Sequence, residues 1–332
     1  MKFANIPIFI PELACPNQCV FCNQKKISGA LRAPSLFEID NIINTYLSTL
    51  PDSYIKNIAF FGGNFTGIDL TLQEEYLKTA YKYIENNKVD GIRVSTRPDY
   101  INEEILALLK KYNVKTIELG AQSTNNEVLK ASGRGHTYDD IKTASYLIKK
   151  NGFNLGLQMM VGLPEDNYEK AIRTANDIAE LGADNTRIYP TLIIKDTKLA
   201  ELYYLKKYKP LELSQAINIC KDVYKIFENK NINVLRMGLH PSEELEKNDL
   251  IAGPYHISFK ELVLTELWHE LLKDKLQPFE NKNIIIVVNN TQINYAIGYN
   301  GKNRERLKEE GFKIEFKQDN NLLKYQINVS NS

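Results

Sequence analysis

For a chain of 332 residues this sequence is poor in cysteine, histidine and methionine, with four of each, and it has a single tryptophan. It also has no apolar run approaching the ~20 residues that cross a bilayer, which excludes a membrane protein. So few cysteines, with no apolar leader segment, exclude the disulfide framework of a secreted domain. A strong charge of either sign is missing too. The net charge is +1, so the molecule as a whole does not attract nucleic acid and any such affinity must be local. What remains, 43% hydrophobic and 25% charged residues, is the composition of a globular protein with a sizeable core.

The cysteines that are present are not scattered. Three fall in one run, Cys15-Pro-Asn-Gln-Cys19-Val-Phe-Cys22. Zinc would want a fourth ligand at finger-like spacing, but Cys220 is far downstream and no histidine lies near the triplet. Cys220 itself sits in an amphipathic helical stretch beginning at Ser214 and reads as a small core residue. Three thiolates are one fewer than a cubic four-iron cluster needs, so one iron stays open to an outside ligand. That spacing resembles the radical S-adenosylmethionine (SAM) superfamily. The resemblance implies a 4Fe-4S cluster on Cys15, Cys19 and Cys22, with SAM on the open iron and reductive cleavage to a 5′-deoxyadenosyl radical. It also implies that Phe21 packs near the adenine. An exposed iron is oxygen-sensitive, which suits a reducing cytosol, and a ferredoxin or flavodoxin would supply the electron.

Strand and helix patterns alternate along most of the chain. Strands are predicted at 6–10, 55–61, 91–95, 116–120, 153–161 and 185–189, with helices at 37–50, 72–86, 102–112, 138–150 and 168–181 and a further helical piece running through Lys130. One more strand and turn is expected over Val234–Pro241. This order predicts an α/β fold, a full or partial (β/α) barrel of parallel strands with right-handed crossovers, and sites on the loops after the strands. Residues 1–276 are assigned to that barrel with a helical cover, including Trp268 on a helix at 258–272. Residues 277–332 are assigned to a small C-terminal α+β unit.

Every strand end carries a motif. Gly62-Gly63-Asn64-Phe65-Thr66 follows the second strand, and two glycines let backbone groups approach a ligand closely. Ser95-Thr-Arg-Pro-Asp99 follows the third, Glu118-Leu-Gly-Ala-Gln122-Ser123 the fourth, and Leu157-Gln158-Met-Met-Val-Gly162 the fifth; the paired methionines read as core. With Arg134-Gly-His136-Thr137 and Ile188-Tyr-Pro-Thr-Leu-Ile-Ile-Lys195-Asp-Thr197, these resemble the radical SAM domain of the Elongator catalytic subunit and its short bacterial relatives. The resemblance implies that Gly62 and Gly63 meet the SAM amino group, with Asn64 beside them. It also implies that Gln122, Arg134 and Gln158 meet its ribose or carboxylate, with Ser95 nearby. Coproporphyrinogen oxidases carry acidic residues where Ser95 and Gln158 stand, which argues against porphyrin chemistry. No acetyltransferase domain is expected in this chain, so the resemblance implies tRNA modification of the wobble-uridine type without the acetyl-dependent route. His136 is either a site residue or part of a cap loop before Thr137, and Tyr189 either faces the substrate or packs.

The C-terminal unit reads strand, strand, loop, helix, strand: 284–288, 292–297, 298–301, 303–310 and 312–316. Its loop, Gly298-Tyr299-Asn300-Gly301-Lys302, looks like the GXXG loop of KH domains, which clamps four backbone nucleotides. Seven Lys or Arg against four Glu between Asn281 and Lys317 give a local +3. Three functions stay open: a radical SAM enzyme on tRNA, the same chemistry on a small metabolite or peptide, and a nucleic-acid-binding protein with a structural cluster.

Overall fold

The computed structural model describes residues 2–10, 15, 19–23, 32–239, 249–280 and 282–331. Two sequence expectations, Pro16-Asn17-Gln18 within the cysteine run and the turn at His240-Pro241, lie outside the described residues. Seven strands form one sheet in the order β1 (Lys2–Ile10), β2 (Tyr54–Gly62), β3 (Gly91–Thr96), β4 (Val114–Gln122), β5 (Asn154–Val161), β6 (Asn185–Pro190) and β8 (Asn233–Met237). Every neighbouring pair is parallel. The first and last strands do not pair, so the sheet is a curled, open half-barrel. Contacts across its hollow show the curl: Arg187 on β6 lies 5.0 Å from the Phe61 ring centroid on β2.

Alternation along each strand separates two faces. Ile6, Ile8 and Ile10 on β1, Ile58 and Phe60 on β2, Ile92 and Val94 on β3, and Leu155, Leu157 and Met159 on β5 are all buried on the convex side. There they pack against amphipathic helices that include α1 (Leu36–Thr49), α2 (Leu70–Glu85), α3 (Glu103–Lys111), α5 (Tyr138–Lys150), α6 (Tyr168–Glu180) and α8 (Leu213–Asn229), with the short α4 (Asn126–Ala131) between β4 and α5. Capping boxes at Ser35 with Glu38 and at Thr137 with Asp140 start α1 and α5 by satisfying orphan backbone donors. Cys220 is fully buried on α8, as its helical stretch implied. Met159 is core, but Met160 is only partly buried on the concave side, because adjacent strand residues cannot share a face.

A short helix, α7 (Lys198–Tyr204), and an antiparallel pair, β7 (Ile193–Ile194) with β9 (Leu250–Ala252), follow β6 and extend its end. Helix α9 (Phe259–Leu276) joins two cores. Phe259, Val263, Leu264 and Leu267 belong to the main one. Trp268, Leu272 and Leu276 instead pack with Ile284, Ile286, Val288 and Leu307 in a second, so Trp268 does not cover the barrel. The second core is closed by β10 (Asn283–Val288) between parallel β11 (Lys313–Gln318) and antiparallel β12 (Ile327–Asn331). The strand expected at 292–297 is a helix, α10 (Ile293–Ile297), followed by α11 (Lys302–Glu309). Ile293, Tyr295 and Ile297 have a spacing of two, which a run this short shares with a helix whose Ala296 is the buried residue. Among the described residues no helix is long and apolar enough to cross a membrane.

Candidate functional site

The cysteine run follows β1 at the C-terminal end of the sheet. Cys22 N–H donates to Cys19 O at 3.0 Å, Val20 N–H to Ser132 O at 3.1 Å, and Leu199 N–H to Val20 O at 2.7 Å, so the run is tied both to the loop after α4 and to α7. None of the four cysteines forms a disulfide. Cys19 is buried, and its Sγ accepts a hydrogen bond from Arg134 Nη1 at 3.2 Å. Arg134 Nη2 donates to Gly120 O at 2.6 Å, while the Arg134 carbonyl accepts from Arg97 Nη2 at 2.7 Å. Arg97 in turn makes a fork with Asp99, at 2.9 and 2.8 Å. Burial opposes the charge on Arg97, but Asp99 and then Cys19 and Cys15 more than offset it and raise its pKa. Two guanidiniums therefore back the cysteine run.

The glycine motif lies beside this network. Gly62 is the last residue of β2 and pairs in register with Ile10. Its φ of +113° suits glycine, and a Cβ there would lie 3.0 Å from the Ile10 carbonyl carbon and closer still to its oxygen. Gly63 N–H donates to the same oxygen at 3.0 Å. Asn64 is buried, and its Oδ1 accepts from Thr96 Oγ1 at 2.6 Å and Arg97 N–H at 3.3 Å, binding the end of β2 to the end of β3. Gln122 closes β4 with φ +65°, and Gln158 Nε2 donates to its Oε1 at 3.3 Å. Cys19, Arg134, Gly120, Gln122 and Gln158 are thus contiguous, and Ser95 faces the hollow half-buried, in register with Glu118. Phe21 is partly buried against the cluster of Ile193 and Leu199. His136 is buried one residue before the α5 cap. Burial, with Arg134 and Arg97 adding to it, pushes its pKa down to about 4, so the imidazole is neutral at pH 7.

The sequence motifs took in Glu118 but missed the arginines on the floor of the hollow. Glu118 is buried, and its Oε2 accepts from Arg93 Nη2 at 3.0 Å and from Arg187 Nε at 3.0 Å. Arg187 also meets Tyr189, whose hydroxyl pKa is raised by burial against the opposing charges of Arg187 and Arg236. The signal was available as period two: Arg93 and Ser95, Gln158 and Met160, Arg187 and Tyr189 alternate with buried apolar residues.

The GXXG-like loop is a helix-turn-helix junction rather than a strand-to-helix loop. Gly298 (φ +86°) would place a Cβ 2.8 Å from Asn303 N, so that α10 and α11 meet closely. Tyr299 N–H donates to Thr265 Oγ1 at 2.8 Å, and the Tyr299 ring stands edge-on to His256 at 5.4 Å. His256 borders a small pocket with Pro190, Gly238 and Phe259 just beyond the ends of β6 and β8. Glu266 holds both Lys302, at 2.8 Å, and Arg306, at 2.9 Å, which reduces the positive charge the loop presents. Asn300 and Lys302 remain exposed.

Comparison with known proteins agrees with this geometry. The model of the radical SAM superfamily matches residues 10–178, and that of the radical SAM C-terminal domain matches residues 183–269. The chain is 27% identical over 232 residues to an uncharacterized protein of Methanocaldococcus jannaschii, MJ0486, covering 67% of this chain and 71% of that one. It is 33% identical over 182 residues to a tRNA uridine(34) acetyltransferase of Methanocaldococcus infernus, covering 49% of this chain and 34% of that one. The match therefore spans about a third of that enzyme's length. The solved archaeal M. infernus Elp3 lacking its N-terminus shares the fold, with a TM-score of 0.62 at 20% identity over 83% of this chain and 64% of that one.

Proposed function

Because the chain belongs to the radical SAM superfamily, we propose that Cys15, Cys19 and Cys22 hold a 4Fe-4S cluster, that SAM binds beside it, and that the substrate is tRNA, modified at a wobble-type uridine. The observation that carries the reading is the hydrogen bond from Arg134 to the Cys19 sulfur, with Arg97 behind it. Three thiols in one run with guanidiniums backing them fit a cluster in chemistry and charge, since such donors stabilise negative charge on ligand sulfur. When bound, cluster and SAM together supply one-electron chemistry, the reductive cleavage of a carbon–sulfur bond.

The chain's own residues do the positioning. Gly62 and Gly63 keep the end of β2 close to β1 and leave room for the methionyl end of SAM. Gln122 and Gln158 present amide groups to its ribose or carboxylate, with Ser95 below. Asn64 fixes the strand ends that carry these groups. His136, held neutral, adds no further charge.

The tRNA reading is supported by the similarity to a tRNA uridine(34) acetyltransferase and by the loop Gly298–Lys302 beside the end of β8. That loop would hold the RNA backbone at the mouth of the hollow. A ferredoxin or flavodoxin would deliver the electron in the cytoplasm. Mass spectrometry of nucleosides from tRNA of a deletion strain tests the reading. One modified uridine should disappear relative to wild type, and identical nucleoside profiles would reject tRNA as the substrate.

A further inference from the structure

Among the described residues, the guanidiniums of Arg93, Arg187 and Arg236 and the one carboxylate of Glu118 meet in the hollow of the half-barrel, two positive charges in excess. Glu118 is committed to Arg93 and Arg187. Arg236 is the register partner of Arg187 on the neighbouring strand, β8, and lies close enough to Tyr189 for its charge to act on that hydroxyl. Among the described residues no carboxylate pairs with Arg236; its Nε and Nη2 donate to the carbonyls of Gly238 and Leu239 at 3.0 and 3.3 Å. Like charges side by side on adjacent strands are destabilising, and partly buried charge without a counter-ion is more so. An anion supplied by a ligand would remove both penalties, and guanidinium forks match phosphate oxygens geometrically.

The position selects substrate over SAM. Arg236 stands on the last strand of the sheet, away from the cysteine run and Gly62-Gly63 after the first two, while Arg187, in register with Gln158, borders the groups proposed for SAM. The Arg187 guanidinium lies over the Phe61 ring, 5.0 Å from its centroid, and the more exposed Phe9 ring stands 6.3 Å beyond. An exposed aromatic ring next to a cationic edge suits a nucleotide, with its base stacked on Phe9 and its phosphate paired.

We propose that Arg187 and Arg236, with the Tyr189 hydroxyl, clamp a backbone phosphate next to the RNA nucleotide that enters the half-barrel. Arg93 and Glu118 hold Arg187 in place. This rests on the tRNA reading above, and the test separates the two. Full-length, reconstituted protein with SAM is titrated against a fluorescent anticodon stem-loop and a set of the same RNA, each with one loop phosphate replaced by a neutral methylphosphonate. One linkage should weaken binding about tenfold, the effect of losing a charge-assisted contact of ~1.4 kcal/mol. Arg236→Gln should weaken the all-phosphate RNA by a similar factor, and in that variant the same neutral linkage should cost clearly less than tenfold, because only Arg187 and Tyr189 still meet the phosphate. Arg236→Lys, which keeps charge but loses the fork, should fall between.

If the two penalties multiply in full, Arg236 does not meet that phosphate, the clamp is wrong and the tRNA reading stands. If no linkage matters to the wild-type protein, the clamp is wrong whatever the variants do. If the wild-type protein binds none of these RNAs, both fall. Iron content and melting temperature report whether Arg236→Gln still folds; if it does not, the wild-type linkage scan decides.

Discussion

Replacing Gly62 by alanine should destabilise the protein by about 2–3 kcal/mol, and two separable effects add to that figure. The residue has φ +113°, a region that costs a side chain about 1–2 kcal/mol. The new Cβ would also collide with the Ile10 carbonyl, which already accepts the Gly63 N–H at 3.0 Å. Relieving the collision moves the end of β1 off β2 and breaks that bond, adding about 1 kcal/mol. Gly152→Ala isolates the first effect, because Gly152 has φ +83° with nothing within 4 Å of its built Cβ. Urea unfolding of both variants beside wild type gives the comparison. Gly62→Ala should lie about 1 kcal/mol below Gly152→Ala, and it should also lower reconstituted iron, since Ile10 leads into the cysteine run. Equal midpoints for the two alanine variants would refute the close approach of β1 and β2 as the reason for this glycine.

The remaining predictions concern charge. Glu118→Gln leaves Arg93 and Arg187 buried without a counter-ion and should lose about 3 kcal/mol in urea unfolding; a loss under about 0.5 kcal/mol would contradict the ion-pair floor. His136 has its folded pKa depressed to about 4, so on acidification from about 6.5 the unfolded chain takes up a proton that the folded chain refuses. Stability should therefore fall between pH 6.5 and 4 more steeply in wild type than in His136→Gln, and parallel curves would show that the imidazole is not held neutral. Tyr299→Asp with Asn300→Asp should weaken tRNA binding by like-charge repulsion while leaving iron content unchanged. Because Glu266 already neutralises part of the loop, the salt dependence should reflect only a few phosphate contacts in filter binding, and equal affinity of the double variant would remove the loop from the interface.

Much of the half-barrel was legible because its strands and helices carry uninterrupted period-two and period-3.6 patterns and its crossovers are short. The strand ends were legible for another reason: Gly62, Gln122 and Arg134 belong to motifs whose chemistry requires those residue types. The C-terminal unit was harder, since Ile293–Ile297 is too short for either period to be decisive and β12 pairs with β10 across a long stretch of chain. Trp268 was misplaced because one continuous helix serves two cores, a division that local periodicity does not encode. The charged floor went unread because Arg93, Glu118 and Arg187 come from three strands, and only the register brings them together. Asn64 adds a role its motif did not suggest: its buried amide oxygen accepts from Thr96 and Arg97 and ties two strand ends together.

The central claim, that this chain is a three-thiolate cluster enzyme that cleaves SAM, is tested most directly by anaerobic reconstitution followed by reduction with dithionite in the presence of SAM. The wild type should bind about four irons and four sulfides per chain and release 5′-deoxyadenosine and methionine, and Cys19→Ala should do neither. A full cluster retained by Cys19→Ala, or stoichiometric zinc and no 5′-deoxyadenosine from the wild type, would contradict it.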